Sequence, residues 1–158
     1  MTADASVMGA NPGQDQALLD VVVLGGGGHV GLPLSLAFAK AGLRVGIVDI
    51  SAETLAKIGR GEMPFIETGA DELLAELLPT GRIELSASPE MLGRTRQVVV
   101  VVGTPIDEFL NPSMTVFQRT VDQIASHLQP GTLVVLRSTV YPGTSEYLAG
   151  ALRPERAT

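Results

Sequence analysis

The chain of 158 residues contains no cysteine and no tryptophan. Without cysteine it has neither a disulfide framework nor a thiolate metal site. Its two histidines, His29 and His127, stand far apart in sequence and make an implausible metal pair. Aromatic residues supply only 4% of a composition that is 45% hydrophobic, so the core must be built from Val, Leu, Ile and Ala. Such a core suits a parallel sheet covered by helices. Positive charge is scarce as well. Eleven Lys and Arg against 17 Asp and Glu leave a net charge of −6 and a pI near 4.8, which argues against nucleic acid or an anionic membrane surface as a main partner. No apolar run approaches the roughly 18 residues of a membrane-spanning helix. The opening stretch MTADASVMGANPGQDQ lacks the basic start and apolar centre of a signal peptide. Residues 1–17 read as a mobile polar leader, residues 18–158 as one domain, and the expected location is cytoplasmic. No internal repeat is evident.

What the chain does have is glycine, concentrated where it carries information. A run of β-formers ends in VVLGGGGHVG, which contains Gly26-x-Gly28-x-x-Gly31. The helical run LPLSLAFAKAG and a second strand, RVGIVDI, follow, and Asp49 lies 18 residues beyond Gly31. This is the layout of a dinucleotide-binding βαβ unit. The first glycine allows a tight turn, the second lets backbone approach a pyrophosphate, and the third lets helix and strand pack closely. The helix N-terminus adds unpaired N–H groups and partial positive charge. An acid about 20 residues further on meets the adenosine ribose. Glycines alone would equally describe a plain tight turn; the strand, the helix and the acid around them carry the assignment.

Strands and helices alternate along the rest of the chain, which predicts an α/β fold with a parallel sheet. Strands are expected at about Asp20–Leu24, Arg44–Ile50, Arg82–Ser86, Gln97–Val102 and Thr132–Arg137. Helices are expected at about His29–Ala41, Ala52–Ile58, Asp71–Leu78 and Thr115–Leu128, with a final short one capped by Thr144. Gly42 stands in the place of a C-terminal glycine stop, and Ser88-Pro89-Glu90 reads as cap, first residue and acidic first turn of a single-turn helix. The five valines Val98 to Val102 mark a strand buried on both faces.

Gly26–Gly31, Asp49, Gly103-Thr104-Pro105 and Ser138-Thr139 follow the first, second, fourth and fifth strands. In a parallel sheet all four segments share one edge. Right-handed crossovers then give a Rossmann-like, doubly wound sheet of strand order 3-2-1-4-5, flanked by helices on both faces, with a ligand crevice between strands one and four. Other polar residues have simpler readings. Asp107 and Glu108 are too few ligands for a metal and suit a solvated loop, so no metal site is expected. His127 reads as a surface residue near a helix C-terminus, and Glu146 as a first-turn acid.

Three segments, VVVLGGGGHVGLPLSLAFAKAG, VGTPID and LRSTVYPGTSE, together resemble the N-terminal NAD-binding domain of the UDP-glucose/GDP-mannose dehydrogenase family, the nucleotide-sugar 6-dehydrogenases, over about residues 20–150. TPIDEFLNPSMT is also similar to bacterial members assigned to UDP-N-acetylmannosamine or simply to nucleotide sugars. The resemblance implies oxidation of the C6 alcohol of a nucleotide sugar to a carboxylate with two NAD, in a polysaccharide-forming context. It implies that Gly26, Gly28 and Gly31, with the backbone of His29 and Val30, hold the pyrophosphate. Asp49 takes the ribose hydroxyls beside Ile50; Gly103, Thr104 and Pro105 line the middle of the dinucleotide; Ser138 and Thr139 sit by the nicotinamide. Thr139 is the catalytic candidate, helping to position a water. His29 fills a position where relatives carry another ring. The chain departs from the family in having no cation at Ser51-Ala52-Glu53-Thr54, where several members place Arg against the adenine. Family members are more than twice as long, carry their nucleophilic cysteine and most of the sugar site in later domains, and form homodimers or larger assemblies. The chain therefore reads as a cofactor module, expected to be inactive alone. Two alternatives stay open: another β-hydroxyacid or acyl-CoA dehydrogenase, and a non-catalytic NAD(H)-sensing module.

Overall fold

A computed structural model describes residues 18–101, 121–122, 124–138 and 142–152. Five parallel strands form one sheet: β1 (Val21–Leu24), β2 (Val45–Val48), β3 (Ile83–Ser86), β4 (Gln97–Val100) and β5 (Leu133–Leu136), in the order β3-β2-β1-β4-β5. The helices are α1 (Gly31–Lys40), α2 (Ala52–Gly59), α3 (Ala70–Leu77) and α4 (Thr144–Ala151), with 3-10 segments at Leu78–Thr80 and Pro89–Arg94. Residues 121–122 and 124–127 are helical as well. Fold class and strand order match the expectation from the sequence.

Strand alternation divides the core in two. Val21, Val23, Val45, Ile47, Ile83 and Val99 face one side, where Leu32 and Leu36 of α1, Leu55 and Ile58 of α2, and Leu74 and Leu77 of α3 close over them. Val22, Val48, Val98 and Val100 face the other, against Leu19, Met91, Leu92 and Ile124. The register places Val21 beside Val45 and Val22 beside Val98, so β1 is flanked on both sides. On β5, at the sheet edge, Leu133 and Val135 remain 59% and 42% exposed.

Element ends differ from the sequence reading in instructive ways. The strands are one to three residues shorter, because ladders fray at their ends. The first helix starts at Gly31 and not at His29. Pro33 has no N–H with which to bond the His29 carbonyl, so the bond from Leu32 to Gly28 (3.0 Å) stands apart and the continuous ladder begins with Leu34 donating to Val30 (3.3 Å). Thr144 does not cap α4. Gly143, at φ 88°, holds the cap position, and Thr144 is the buried first helical residue, without a side-chain cap bond. Ser88 does cap its helix, accepting from the Glu90 N–H at 3.3 Å, but the segment extends to six residues of 3-10 helix. His127 is half-buried at the end of its helical segment.

Candidate functional site

The glycines after β1 do different jobs, and their surroundings show which. Gly25 turns the chain at φ 79°. Its N–H and that of Gly26 both donate to the Val48 carbonyl, at 2.8 and 3.2 Å, tying the turn to the end of β2. A Cβ on Gly26 would stand 2.8 Å from Ile47 Cγ2 and 2.9 Å from the Val23 carbonyl. One on Gly31 would stand 2.6 Å from Gly26 Cα and closer still to the Gly25 carbonyl. These two permit close packing. Gly28 is exposed, and among the described residues a Cβ there would meet only the Gly25 carbonyl, at 3.7 Å. Its missing side chain leaves open space.

Beside that space lies a set of unused donors. The Gly28 N–H bonds weakly to the Gly25 carbonyl (3.4 Å), and the Leu32 N–H donates to the Gly28 carbonyl (3.0 Å). Between them, the N–H groups of His29, Val30 and Gly31 have no acceptor among the described residues. Three consecutive free N–H groups at the positive end of α1 form a concave, anion-seeking stretch of backbone.

Asp49 follows β2 and does more than the sequence reading assigned to it. Its Oδ2 accepts from the Gly27 N–H (2.9 Å), and its Oδ1 accepts from the Ser51 N–H (3.0 Å). The carboxylate therefore clamps the glycine turn to the start of α2, and each oxygen keeps a further lone pair for a hydroxyl donor. Gly27 was not among the sequence candidates. A Cβ there would lie 2.9 Å from Asp49 Oδ2 and 2.8 Å from Thr54 Cγ2, and its place as third glycine in the unbroken run Gly25–Gly28 was the available signal. Ser51 caps α2 by accepting from the Thr54 N–H at 3.2 Å. Lys57 pairs with Glu53 at 2.9 Å; that hydrogen bond and the ammonium charge hold the Glu53 carboxyl below its ordinary value. Ile50 is 98% exposed.

The far side of the crevice is made by β4 and β5. Val101 N–H donates to the Leu24 carbonyl (2.8 Å), and Arg137 N–H to the Val100 carbonyl (2.9 Å). Ser138 Oγ donates to that same Val100 carbonyl at 3.4 Å. Ser138 thus stands two strand spacings, about 10 Å, from the end of β1. The structure brings Gly26–Gly31, Asp49, Ile50 and Ser138 to one edge of the sheet. Gly103, Thr104, Pro105, Asp107, Glu108 and Thr139 lie outside the described residues. Glu146 is exposed in the first turn of α4. Phe65, unmarked by sequence reasoning, places its ring 4.0 Å from that of His29, tilted by 31°. Among the described residues, no three His, Cys, Asp or Glu side chains are grouped to hold a metal, and no helix is long and apolar enough to cross a membrane.

Residues 20–157 match the UDP-glucose/GDP-mannose dehydrogenase family, NAD binding domain. The UDP-N-acetyl-D-mannosamine dehydrogenase of Pyrococcus horikoshii is 32% identical over 125 residues, covering 79% of this chain and 30% of that protein. The UDP-glucose 6-dehydrogenase of Pseudomonas aeruginosa is 33% identical over 129 residues, covering 81% of this chain and 28% of that protein. Among solved structures, the Pyrococcus horikoshii UDP-N-acetyl-D-mannosamine dehydrogenase superposes with a TM-score of 0.77 over 85% of this chain and 32% of its own, at 32% identity. GDP-mannose dehydrogenase from Pseudomonas aeruginosa, solved as a ternary complex, gives a TM-score of 0.74 at 25% identity, over 85% of this chain and 31% of its own. The chain spans about 30% of the length of these relatives.

Proposed function

Because the chain belongs to the UDP-glucose/GDP-mannose dehydrogenase family, as its NAD binding domain, we propose that it holds NAD along the carboxyl edge of its sheet and serves a UDP-sugar 6-dehydrogenase. The sugar would be of the UDP-glucose or UDP-N-acetylmannosamine type. The observation that carries this reading is the run of free N–H groups at His29, Val30 and Gly31, next to the space left by Gly28. That arrangement suits a pyrophosphate, which brings negative charge and several acceptors to the N-terminus of α1. Asp49 then takes the adenosine ribose hydroxyls on its remaining lone pairs, and Ile50 offers its exposed side chain to the adenine. Gly103, Thr104 and Pro105 line the middle of the cofactor.

When bound, NAD supplies a hydride acceptor, and oxidation of an alcohol to a carboxylate takes two of them. Ser138 and Thr139 would keep the nicotinamide end in place, and Thr139 would help to position a catalytic water. By the family resemblance, the residues that hold the sugar and the cysteine that forms the covalent intermediate would lie in domains of the family other than this one. We further propose, from the family resemblance alone, that the working enzyme is a homodimer or larger assembly in the cytoplasm, to which this chain contributes the cofactor module.

Calorimetric titration of the chain with NAD and NADP tests the reading. A ribose hydroxyl bond to a charged acceptor is worth about 1.5–3 kcal/mol, or roughly 10- to 150-fold in affinity. A 2′-phosphate removes one such bond and sets like charges together, with no cation at residues 51–54 to offset them. NAD should bind at least tenfold more tightly. Absence of NAD binding, or NADP binding as tight, overturns the assignment.

A further inference from the structure

The stretch Gly25–His29 carries a single side chain beyond hydrogen, that of His29. Glycine loses more conformational freedom on ordering than any other residue. A four-glycine turn that must present its backbone to a ligand is therefore costly to hold still; the Asp49 carboxylate holds it at the Gly27 N–H, and the one side chain of its own through which it can be gripped nearer the phosphate-facing N–H groups is that of His29. That ring lies against Phe65. Phe65 belongs to the segment between α2 and α3, where no backbone N–H of residues 63–69 donates a hydrogen bond among the described residues. The segment is held by side chains: Met63 and Phe65, partly buried, pack against the core cluster to which α1, α2 and α3 contribute, while Ile66 is 98% exposed.

We propose that Phe65 is a positioning residue for the dinucleotide: rooted in the core, it grips the His29 ring and so pre-sets the phosphate-facing backbone of His29, Val30 and Gly31. The inference rests on the cofactor reading above. Phe65 touches no part of the ligand; it reduces the ordering that binding would otherwise require. An aromatic pair of this kind is worth about 0.5–1.5 kcal/mol, so its loss weakens binding roughly 2- to 12-fold.

A double-mutant cycle on the whole chain, read by NAD titration, provides the test. Phe65→Leu keeps an apolar body on the core and removes the ring; Phe65→Tyr keeps the ring. We expect Phe65→Leu and His29→Ala each to weaken NAD binding several-fold, Phe65→Tyr to match the parent, and the double variant to be no worse than either single one. Additive losses would show that Phe65 acts independently of His29 and overturn the proposal. So would parental affinity in His29→Ala, an exposed change that leaves the fold intact even if Phe65→Leu unfolds. Failure of the parent itself to bind NAD would instead overturn the cofactor reading, and this inference with it.

Discussion

Adding a side chain at Gly28 and adding one at Gly31 are opposite experiments within one motif. A valine at Gly28 enters open space among the described residues, where the Gly25 carbonyl, 3.7 Å from the Cβ position, is the one neighbour within 4 Å. Gly28 is not among the positive-φ glycines, so the residue tolerates a Cβ without strain. The stability cost should stay below about 1 kcal/mol, a change in Tm of roughly 2–4 °C at most for a chain of this size. The same methyls occupy the space beside the three free N–H groups. Excluding a pyrophosphate forfeits at least two charge-assisted bonds of about 1.5–3 kcal/mol each, so NAD affinity should fall by roughly 100-fold or more. Gly31→Ala is the reverse case. Its Cβ falls 2.6 Å from Gly26 Cα and nearer still to the Gly25 carbonyl, and backbone cannot step aside as a flexible side chain does. Overpacking of this kind costs about 3 kcal/mol, lowering Tm by roughly 6–12 °C. Thermal melts and calorimetry on both variants separate the effects. If Gly28→Val binds NAD like the parent, or if Gly31→Ala melts like the parent, the division of labour among the glycines is wrong.

Other changes probe the neighbouring contacts. Asp49→Asn keeps one carbonyl oxygen but turns an NH2 toward either the Gly27 or the Ser51 N–H; it should cost about 1–3 kcal/mol of stability, read by denaturant titration, and weaken NAD binding. Thr95→Val removes a buried hydroxyl that accepts from the Gln97 N–H at 3.1 Å and reaches the Asp20 carbonyl at 3.2 Å. It should lower stability by about 1–3 kcal/mol with no effect on NAD affinity, and an unchanged Tm would refute the bond's importance. The chain alone should give no steady NADH formation with UDP-glucose, UDP-N-acetylmannosamine, UDP-N-acetylglucosamine or GDP-mannose, since positioning the C6 alcohol supplies much of the rate; turnover above background with any of them would place the catalytic machinery within these residues.

The sheet was legible because its signals are local and repeated: valine-rich strands, a glycine stop at Gly42, and an acid after the second strand. The crevice followed from topology, since everything placed after a parallel strand falls on one edge. Helix starts were less legible, because they depend on single hydrogen bonds. The missing N–H of Pro33 moves the start of α1 to Gly31 and leaves His29 in the turn. Thr144 has the chemistry of a cap, but the left-handed Gly143 before it takes that place. The Asp49 clamp and the Phe65 ring were not legible at all. Each joins residues more than 20 positions apart, and neither leaves a periodic trace in the chain.

The order of the strands also governs how the domain assembles as it is made. β1 sits at the centre of the sheet, yet of the five described strands it is the earliest in the chain. Its partner at Val45 follows Val21 closely, while its partner at Val98 is synthesised 76 residues after Val22. At about 5–20 residues per second, one edge of a strand made of three valines and a leucine stays unpaired for roughly 4–15 s. During that interval β1, α1 and β2 can close on one another, but the face awaiting β4 is a surface for chaperones or for neighbouring nascent chains.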